Sequence, residues 1–402
     1  MTEDLQINAA RGFQGGIRWP LVRMGSVASL HYGKALKAGI RKDGGVPVYG
    51  SNGQCGWHDT PLKEGPSVIL GRKGQGPLGV EWCPSPFWVI DTAYYVTVDS
   101  SRIDLRYFYF LTKYVGLNHL KDGTSNPSLS RDVFGFQGIP LPPMPIQLRI
   151  VRILSAYDEL IENSQRRIQI LEQMARNLYR EWFVNFRFPG HAKTQMVDSP
   201  LWKIPKGWEV KKLAELTSYL NRGLAPSYDD NGDSVVVNQK CIREQRLNLE
   251  PSRRQAKAVP PDKLIRFGDV LINSTGVGTL GRVAQVYQDF KKCTVDTHVT
   301  IARPNKAVDL DFFGCALLSQ ELAFERLGVG ATGQTELSRT SIAGIEMVVP
   351  SPSCQTRFGE NVRPLRFAAV TLENQIQNLS KTRDLLLPRL LSGQINTGRL
   401  LP

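Results

Sequence analysis

Two glycine runs in this 402-residue chain, at residues 74–79 and 276–281, both spell G-x-G-x-x-G. Opening a helix, such a run aims backbone amides at a phosphate or carboxylate. Here strand-like residues follow instead, Val80-Glu81-Trp82 after the first run and Arg282-Val283-Ala284-Gln285-Val286-Tyr287 after the second. Both runs therefore read as hairpin turns. A second pattern joins Pro261-Asp262 to Asp289-Phe290-Lys291. Two carboxylates and a lysine can hold Mg²⁺ and activate water for phosphodiester cleavage. The pattern is loose, lacks a counterpart earlier in the chain, and sets Asp262 in the turn Pro260-Pro261-Asp262-Lys263. It stands as the alternative reading, an Mg-dependent nuclease. A third set is basic residues beside turns: Lys34, Lys37, Arg41, Lys42, Arg72 and Lys73, then Lys240, Arg243, Arg246, Arg253 and Arg254. Such cations neutralise phosphates, while Asn126, Gln239, His298, Gln334 and Thr335 are polar groups of a kind that reads base edges.

Bulk properties narrow these options. Lys and Arg total 50 against 37 Asp and Glu, a net charge of +13 that favours a polyanionic partner. The six cysteines never form Cys-x-x-Cys and the five histidines are dispersed, which predicts reduced thiols and neither a metal cluster nor a disulfide framework. Gly33-Lys34 is followed by Ala35, so no Walker lysine motif is present. No apolar run approaches the ~20 residues of a membrane span, and the first twenty residues lack a signal-peptide core. A cytoplasmic protein is expected.

The elements that must position these residues occur twice. Val68-Ile69-Leu70 and the first glycine run reappear as Val270-Leu271-Ile272 and the second, 202 residues on. Asp91-Thr92 reappears as Asp296-Thr297 and Asp104-Leu105 as Asp309-Leu310, both shifted by 205. Leu129-Ser130-Arg131 matches Leu337-Ser338-Arg339, and Gln147 matches Gln355, both shifted by 208. Ordered blocks with small drifts in spacing mark two copies of one unit. Within the first copy, Ser67-Val68-Ile69-Leu70-Gly71 predicts a buried strand, Leu105–Val115 an aromatic helix, and residues 123–130 a loop before a strand near 138–141. Tyr107-Phe108-Tyr109-Phe110 reads as core, because its counterpart is Phe312-Phe313.

Each copy ends in a heptad seam. From Pro145 to about Val184 it comprises Ile150, Leu154, Tyr157, Ile161, Ser164, Ile168, Leu171, Ala175, Leu178 and Trp182, in alternating steps of four and three. Such a helix would be roughly 60 Å long at ~1.5 Å per residue. The 208 shift carries the seam to Phe358, Val362, Leu365, Ala369, Leu372, Ile376, Leu379, Arg383, Leu386 and Leu390, apolar at all but Arg383. Two seams in one chain predict helices that pack on each other. Gly359 and Pro364 predict that the regular second helix starts near Pro364, with Pro388 bending its last turn and Gly393 as its cap. The expected α+β organisation is an N-terminal arm (1–18), a first domain (19–144), a first spacer helix (145–186) and a linker (187–206). A second domain (207–351), a second spacer helix (352–395) and a tail (396–402) follow.

Several blocks carry a family likeness. Tyr49-Gly50-Ser51-Asn52-Gly53, Gly71-Arg72-Lys73-Gly74, Phe87-Trp88-Val89-Ile90-Asp91-Thr92-Ala93-Tyr94-Tyr95 and Pro140-Leu141-Pro142-Pro143 resemble the first half of a specificity subunit of a type I restriction–modification system. Trp182-Phe183-Val184-Asn185-Phe186, residues 330–339 and residues 383–393 resemble the rest. The likeness spans the chain after residue 18. It implies two similar target-recognition domains with twisted sheets, each reading one half of a bipartite, asymmetric double-stranded DNA site. It also implies two long antiparallel coiled-coil helices that separate the domains and dock two methyltransferase subunits. S-adenosylmethionine, ATP and Mg²⁺ then belong to the modification and restriction subunits, and this chain is non-catalytic with no cofactor of its own. A coiled-coil adaptor without DNA binding is the remaining rival.

Overall fold

The computed structural model describes residues 19–330 and 335–395; the expected arm, the expected tail and Gln334 lie outside them. Two compact units result, one built from the chain up to Glu162 together with Ile376 onwards, the other from Asn163–Gln375.

In the first unit, β2 (Ala28–Tyr32), β5 (Ser67–Gly71), β6 (Val80–Cys83) and β8 (Ala93–Val98) form an antiparallel sheet in the order β2-β8-β5-β6. A second sheet sets β3 (Val46–Gly50) between antiparallel β4 (Gly53–His58) and parallel β7 (Trp88–Val89). Small pairs complete it: β1 (Leu21–Arg23) with β11 (Gly138–Pro140), and β9 (Lys121–Asp122) with β10 (Ser128–Leu129). Strand β5 is buried along its whole length, as a strand of small and branched residues bonded on both sides should be. Helix α1 (Leu105–Val115) occupies the predicted range; Asp104 caps it by accepting the N–H of Tyr107. All four residues of Tyr107-Phe108-Tyr109-Phe110 are buried, so the aromatic run is core. Helix α2 (Arg131–Phe136) is capped by Ser130 in the same way.

Two long-helix segments close this core. Ile150 and Leu154 of α3 (Met144–Tyr179) pack with Leu386, Leu390 and Leu391, from the end of the second long helix, against Tyr107, Phe108 and Phe134. Each large side chain buried this way contributes roughly 1.5–3 kcal/mol.

The second unit repeats the plan. Strands β15 (Thr217–Arg222), β20 (Val270–Asn273), β21 (Val283–Gln285) and β23 (Val299–Pro304) pair in the order β15-β23-β20-β21. Strand β16 (Ser234–Val237) lies between antiparallel β19 (Arg253–Gln255) and parallel β22 (Cys293–Val295), and β14 (Glu209–Lys212) pairs with β24 (Glu346–Val349). The short pair β17 (Ile242–Arg243) and β18 (Arg246–Leu247) has no counterpart among the named strands of the first unit. Helices α4 (Leu213–Leu216), α5 (Leu310–Leu318), α6 (Glu321–Arg326) and α7 (Arg339–Ala343) complete it. Asp309 caps α5 and Ser338 caps α7, the counterparts of Asp104 and Ser130.

Both glycine runs join antiparallel strands, β5 to β6 and β20 to β21, and no helix starts at either. Gly74 and Gly276 hold φ of +127° and +107°, where a side chain would be strained. The segment expected as a linker, 187–206, contains the pair β12 (Met196–Val197) and β13 (Ile204–Pro205). It also sends Phe188 and Ile204 into the core around Trp208, Phe183 and Phe312, so it is part of the unit rather than a tether.

The second long helix departs from expectation as well. The second long helix, α8 (Pro352–Leu391), is regular from Pro352 and does not wait for Pro364. Pro364 and Glu360, whose carbonyl the proline leaves without its N–H, are both exposed, on the side of the helix where such a loss is tolerated. Buried Phe358 and Val362 hold the preceding turns in place. The helix also runs through Pro388, and Gly393 follows it at φ +72°. The first long helix ends in a π-helical turn, Arg180–Val184, that turns Trp182 and Phe183 inward.

In the first unit the seam residues Ile150, Leu154 and Ile161 are buried, while Tyr157, Ile376, Leu379 and Leu386 are half-buried. In the second, Ile168 and Leu372 are buried, with Leu171, Leu178 and Leu365 half-buried.

Candidate nucleic-acid interface

At one corner of the first unit, the ends of β2 and β5 meet the start of β8. Register places Tyr32 opposite Tyr94. The Arg72 guanidinium lies over the Tyr32 ring at 4.7 Å from its centroid, and that of Arg131 lies over the same ring at 4.6 Å. Arg72 also donates to the Asp91 carbonyl at 2.9 Å, which fixes its direction. Among the described residues neither arginine has a carboxylate in ion-pair range. Two like charges are thus gathered on one ring, and Tyr32 is 47% exposed. Cation–π attraction holds each of them there. Beneath, burial and the Tyr32 hydroxyl push the Tyr94 phenol up to about 12. Its hydroxyl donates to the Leu129 carbonyl at 3.0 Å and ties the β8 strand to the turn before α2.

A loop rim borders this corner. Lys121 Nζ donates to the carbonyls of Gly74 and Gly76 at 3.1 and 3.0 Å, and Gln75 Nε2 donates to Ser125 at 3.0 Å. The β5–β6 hairpin and the 123–127 loop, which carries exposed Asn126, are therefore stitched together. Lys73 stands half-buried between them, its backbone bridged to Ser128.

The second unit has a different corner. Arg222 pairs with Glu336 at 2.7 Å and donates to the Leu337 carbonyl at 3.0 Å. Arg339 donates to the Asn221 side chain at 2.7 Å. Thr275 Oγ1 and His298 Nδ1 lie 2.6 Å apart, and the His298 N–H donates to the Asp296 carboxylate at 2.9 Å. Thr335, half-buried, precedes Glu336, which bridges to Thr275 and to Val329.

Other sequence candidates are placed elsewhere. Lys34, Lys37, Lys240 and Arg243 are exposed. Arg41 is turned inward, donating to the carbonyls of Cys55 and Leu36 at 2.6 and 3.5 Å, so its charge serves the fold. Arg246 is spent on Glu172, with bonds of 2.5 and 2.6 Å. The Gln239 backbone carbonyl accepts from Asn273 at 3.0 Å, while its side-chain oxygen is buried without a partner. Reasoning from sequence missed Tyr32, Arg131, Arg222, Glu336 and Arg339. The matched triplets ending in Arg131 and Arg339 were the available signal; Tyr32 carried none before its register was known.

Nothing in the structure supports the nuclease pattern. Among the described residues no group of three or more His, Cys, Asp or Glu side chains is close enough to hold a metal ion. The Asp262 carbonyl accepts from Arg303 at 3.3 Å in the loop before β20, whereas Asp289 and Lys291 are exposed after β21. No helix among the described residues is long and apolar enough to cross a membrane.

Residues 17–173 match the family model described as a type I restriction modification DNA specificity domain. The first unit thus resembles a DNA-specificity domain over that stretch. The chain is 27% identical over 306 residues to the type I restriction enzyme MjaIX specificity subunit of Methanocaldococcus jannaschii, covering 73% of this chain and 69% of that one. It is 23% identical over 387 residues to the HindI specificity subunit of Haemophilus influenzae, covering 77% and 81%. The crystal structure of a type I restriction-modification S subunit from M. genitalium superposes with a TM-score of 0.62 at 17% identity, covering 94% of this chain and 97% of that one, a likeness of fold. The chain is thus similar, in sequence along most of its length and in fold, to the specificity subunits of type I restriction–modification systems.

Proposed function

We propose that each unit reads one half of a bipartite, asymmetric DNA site. The two long helices, packed antiparallel as a coiled coil between target-recognition domains, set the distance between the halves. They also dock two methyltransferase subunits, and through them the restriction subunits. S-adenosylmethionine, ATP and Mg²⁺ are held by those partners, and this chain supplies sequence recognition and assembly. One observation carries this reading: a single topology is built twice, with unlike side chains at the equivalent corner. A symmetric dimer presents two identical readers and suits a palindrome, whereas two unlike readers on one chain suit two unlike half-sites. The charge of +13 supplies the sequence-independent attraction to phosphate.

Domain exchange tests it. Replacing residues 19–143 with the corresponding stretch of a relative, and mapping methylated adenines in a host that also expresses the modification subunit, should change one half of the methylated motif. A change in both halves refutes modular reading. Cleavage of DNA by the purified chain alone with Mg²⁺, lost on Asp289→Ala, would overturn the non-catalytic assignment.

A further inference from the structure

The repeated topology lets positions be equated strand by strand. In the first unit Leu70 lies opposite Tyr94, and Tyr94 opposite Tyr32. Ile272, at the place of Leu70 under the 202-residue shift, lies opposite Thr300, and Thr300 opposite Arg222. Tyr32 is therefore replaced by Arg222 and Tyr94 by Thr300. The same shift equates Arg72 with Ser274 and Lys73 with Thr275, and the 208 shift equates Arg131 with Arg339. The backbone of the corner is retained: the Leu129 N–H donates to the Arg72 carbonyl at 2.8 Å, and the Leu337 N–H to the Ser274 carbonyl at 2.8 Å. Its chemistry is not retained. The first corner sets the cationic donors Arg72 and Arg131 over the Tyr32 ring, with Lys73 next to Arg72 in the chain. The second sets a carboxylate, Glu336, beside Thr275 and His298.

We propose that this corner is where the two half-sites are told apart. Arg72 and Arg131, splayed over Tyr32, take an acceptor-rich base edge, guanine O6 and N7. Glu336 takes the exocyclic amino group of cytosine or adenine. The inference rests on the reading of both units as DNA readers. Guanidinium is the side chain best matched to guanine in the major groove, and a carboxylate accepts from a base amino group. Phosphate contact alone does not account for the difference, because the DNA backbone is chemically the same at both half-sites. Glu336 is neutralised on one side by Arg222, and its remaining acceptor capacity suits a base amino group. Arg222, 2.7 Å from Glu336, orients that carboxylate, which is still 55% exposed along its side chain.

The test is the methylated motif of the complex with the modification subunit, for wild type, Arg131→Lys, Arg131→Ala and Glu336→Gln, with co-elution of the subunits as the check on assembly. Glu336→Gln is isosteric, and Arg131→Lys keeps the charge while losing the two-pronged donor. The expected result is that both Arg131 variants relax one position in one half of the motif, by tenfold or more in discrimination. Glu336→Gln should relax one position in the other half only. An unchanged motif with uniformly weaker methylation and a shallower salt dependence in Arg131→Ala would mean phosphate contacts and overturn the inference, as would relaxation in both halves by one variant. A wild-type complex that methylates no two-part motif removes the underlying reading, and this inference with it. A two-part motif that survives every variant removes the inference alone.

Discussion

Gln147 Oε1 accepts the backbone N–H of Asp104 at 2.9 Å, while its Nε2 donates to the Pro142 carbonyl at 2.9 Å. In the second unit Gln355 accepts from Asp309 at 2.9 Å and donates to Pro350 at 2.8 Å. One buried amide thus fastens the start of each long helix to the cap of the short helix in its own unit. Replacing Gln147 with Leu keeps the bulk and orphans these backbone groups, at about 1–3 kcal/mol each. Urea denaturation of Gln147→Leu should show a loss of that order, and Gln355→Leu should match it. No loss in either would mean that water replaces the amide.

Asp158 is the second fastening of the first unit. Its two oxygens accept from Arg106 and Arg383, both at 2.8 Å, with all three side chains about a fifth exposed or less. The polarity is reversed in the second unit, where Asp311 lies on α5 and Arg363 on α8, 2.8 Å apart. Removing one partner from a mostly buried pair leaves uncompensated charge, and here it strands the Arg106 guanidinium while Arg383 keeps Asp384 at 2.9 Å. Asp158→Ala should therefore cost about 3–5 kcal/mol in chemical denaturation. A loss below about 1 kcal/mol would show that the arginines find water instead.

His31 reports the charge at the first corner. Burial holds its imidazole below the ordinary value, and the Lys63 and Arg131 cations lower it further. The unfolded chain therefore binds the proton more readily than the folded one. The stability tied to neutral His31 is complete above the unfolded pKa of about 6.5, and is lost as pH falls through it towards the folded value. Arg131→Ala removes one cation, so the His31 titration followed by NMR should move upward. A titration that stays in place would separate His31 from the arginine pair.

Pro364 gives a prediction of opposite sign. Because α8 is helical on both sides of it, Pro364→Ala restores a donor to Glu360 and removes a ring from the turn. The variant should be more stable, by up to about 3 kcal/mol, with a higher melting temperature. A fall in melting temperature would indicate that the proline shapes a bend the unit needs.

Much of this architecture was legible in the chain itself. The repeat, the aromatic helix Leu105–Val115, both hairpin glycine runs and the seams follow from local periodicity and from comparing the chain with its own second half. Helix continuity through Pro364 was not legible. A proline rule describes an isolated helix, whereas exposure on the outer side and buried Phe358 and Val362 on the inner side decide the case here. Nor could composition separate Arg72 from Arg41, equally basic and both near turns. One lies over an exposed ring and the other is consumed by carbonyls.

The sequence by itself determined that two copies of one unit exist, that each ends in a long amphipathic helix, and that cations and amides gather near the turns. Only the tertiary structure decided which of those side chains share a site. Tyr32, Arg72 and Arg131 come from a strand end, a hairpin and a helix start. Cross-strand register and a backbone bond from Leu129 to Arg72 bring them onto one ring. Those contacts depend on pairings between distant segments, and no local pattern of residues encodes them.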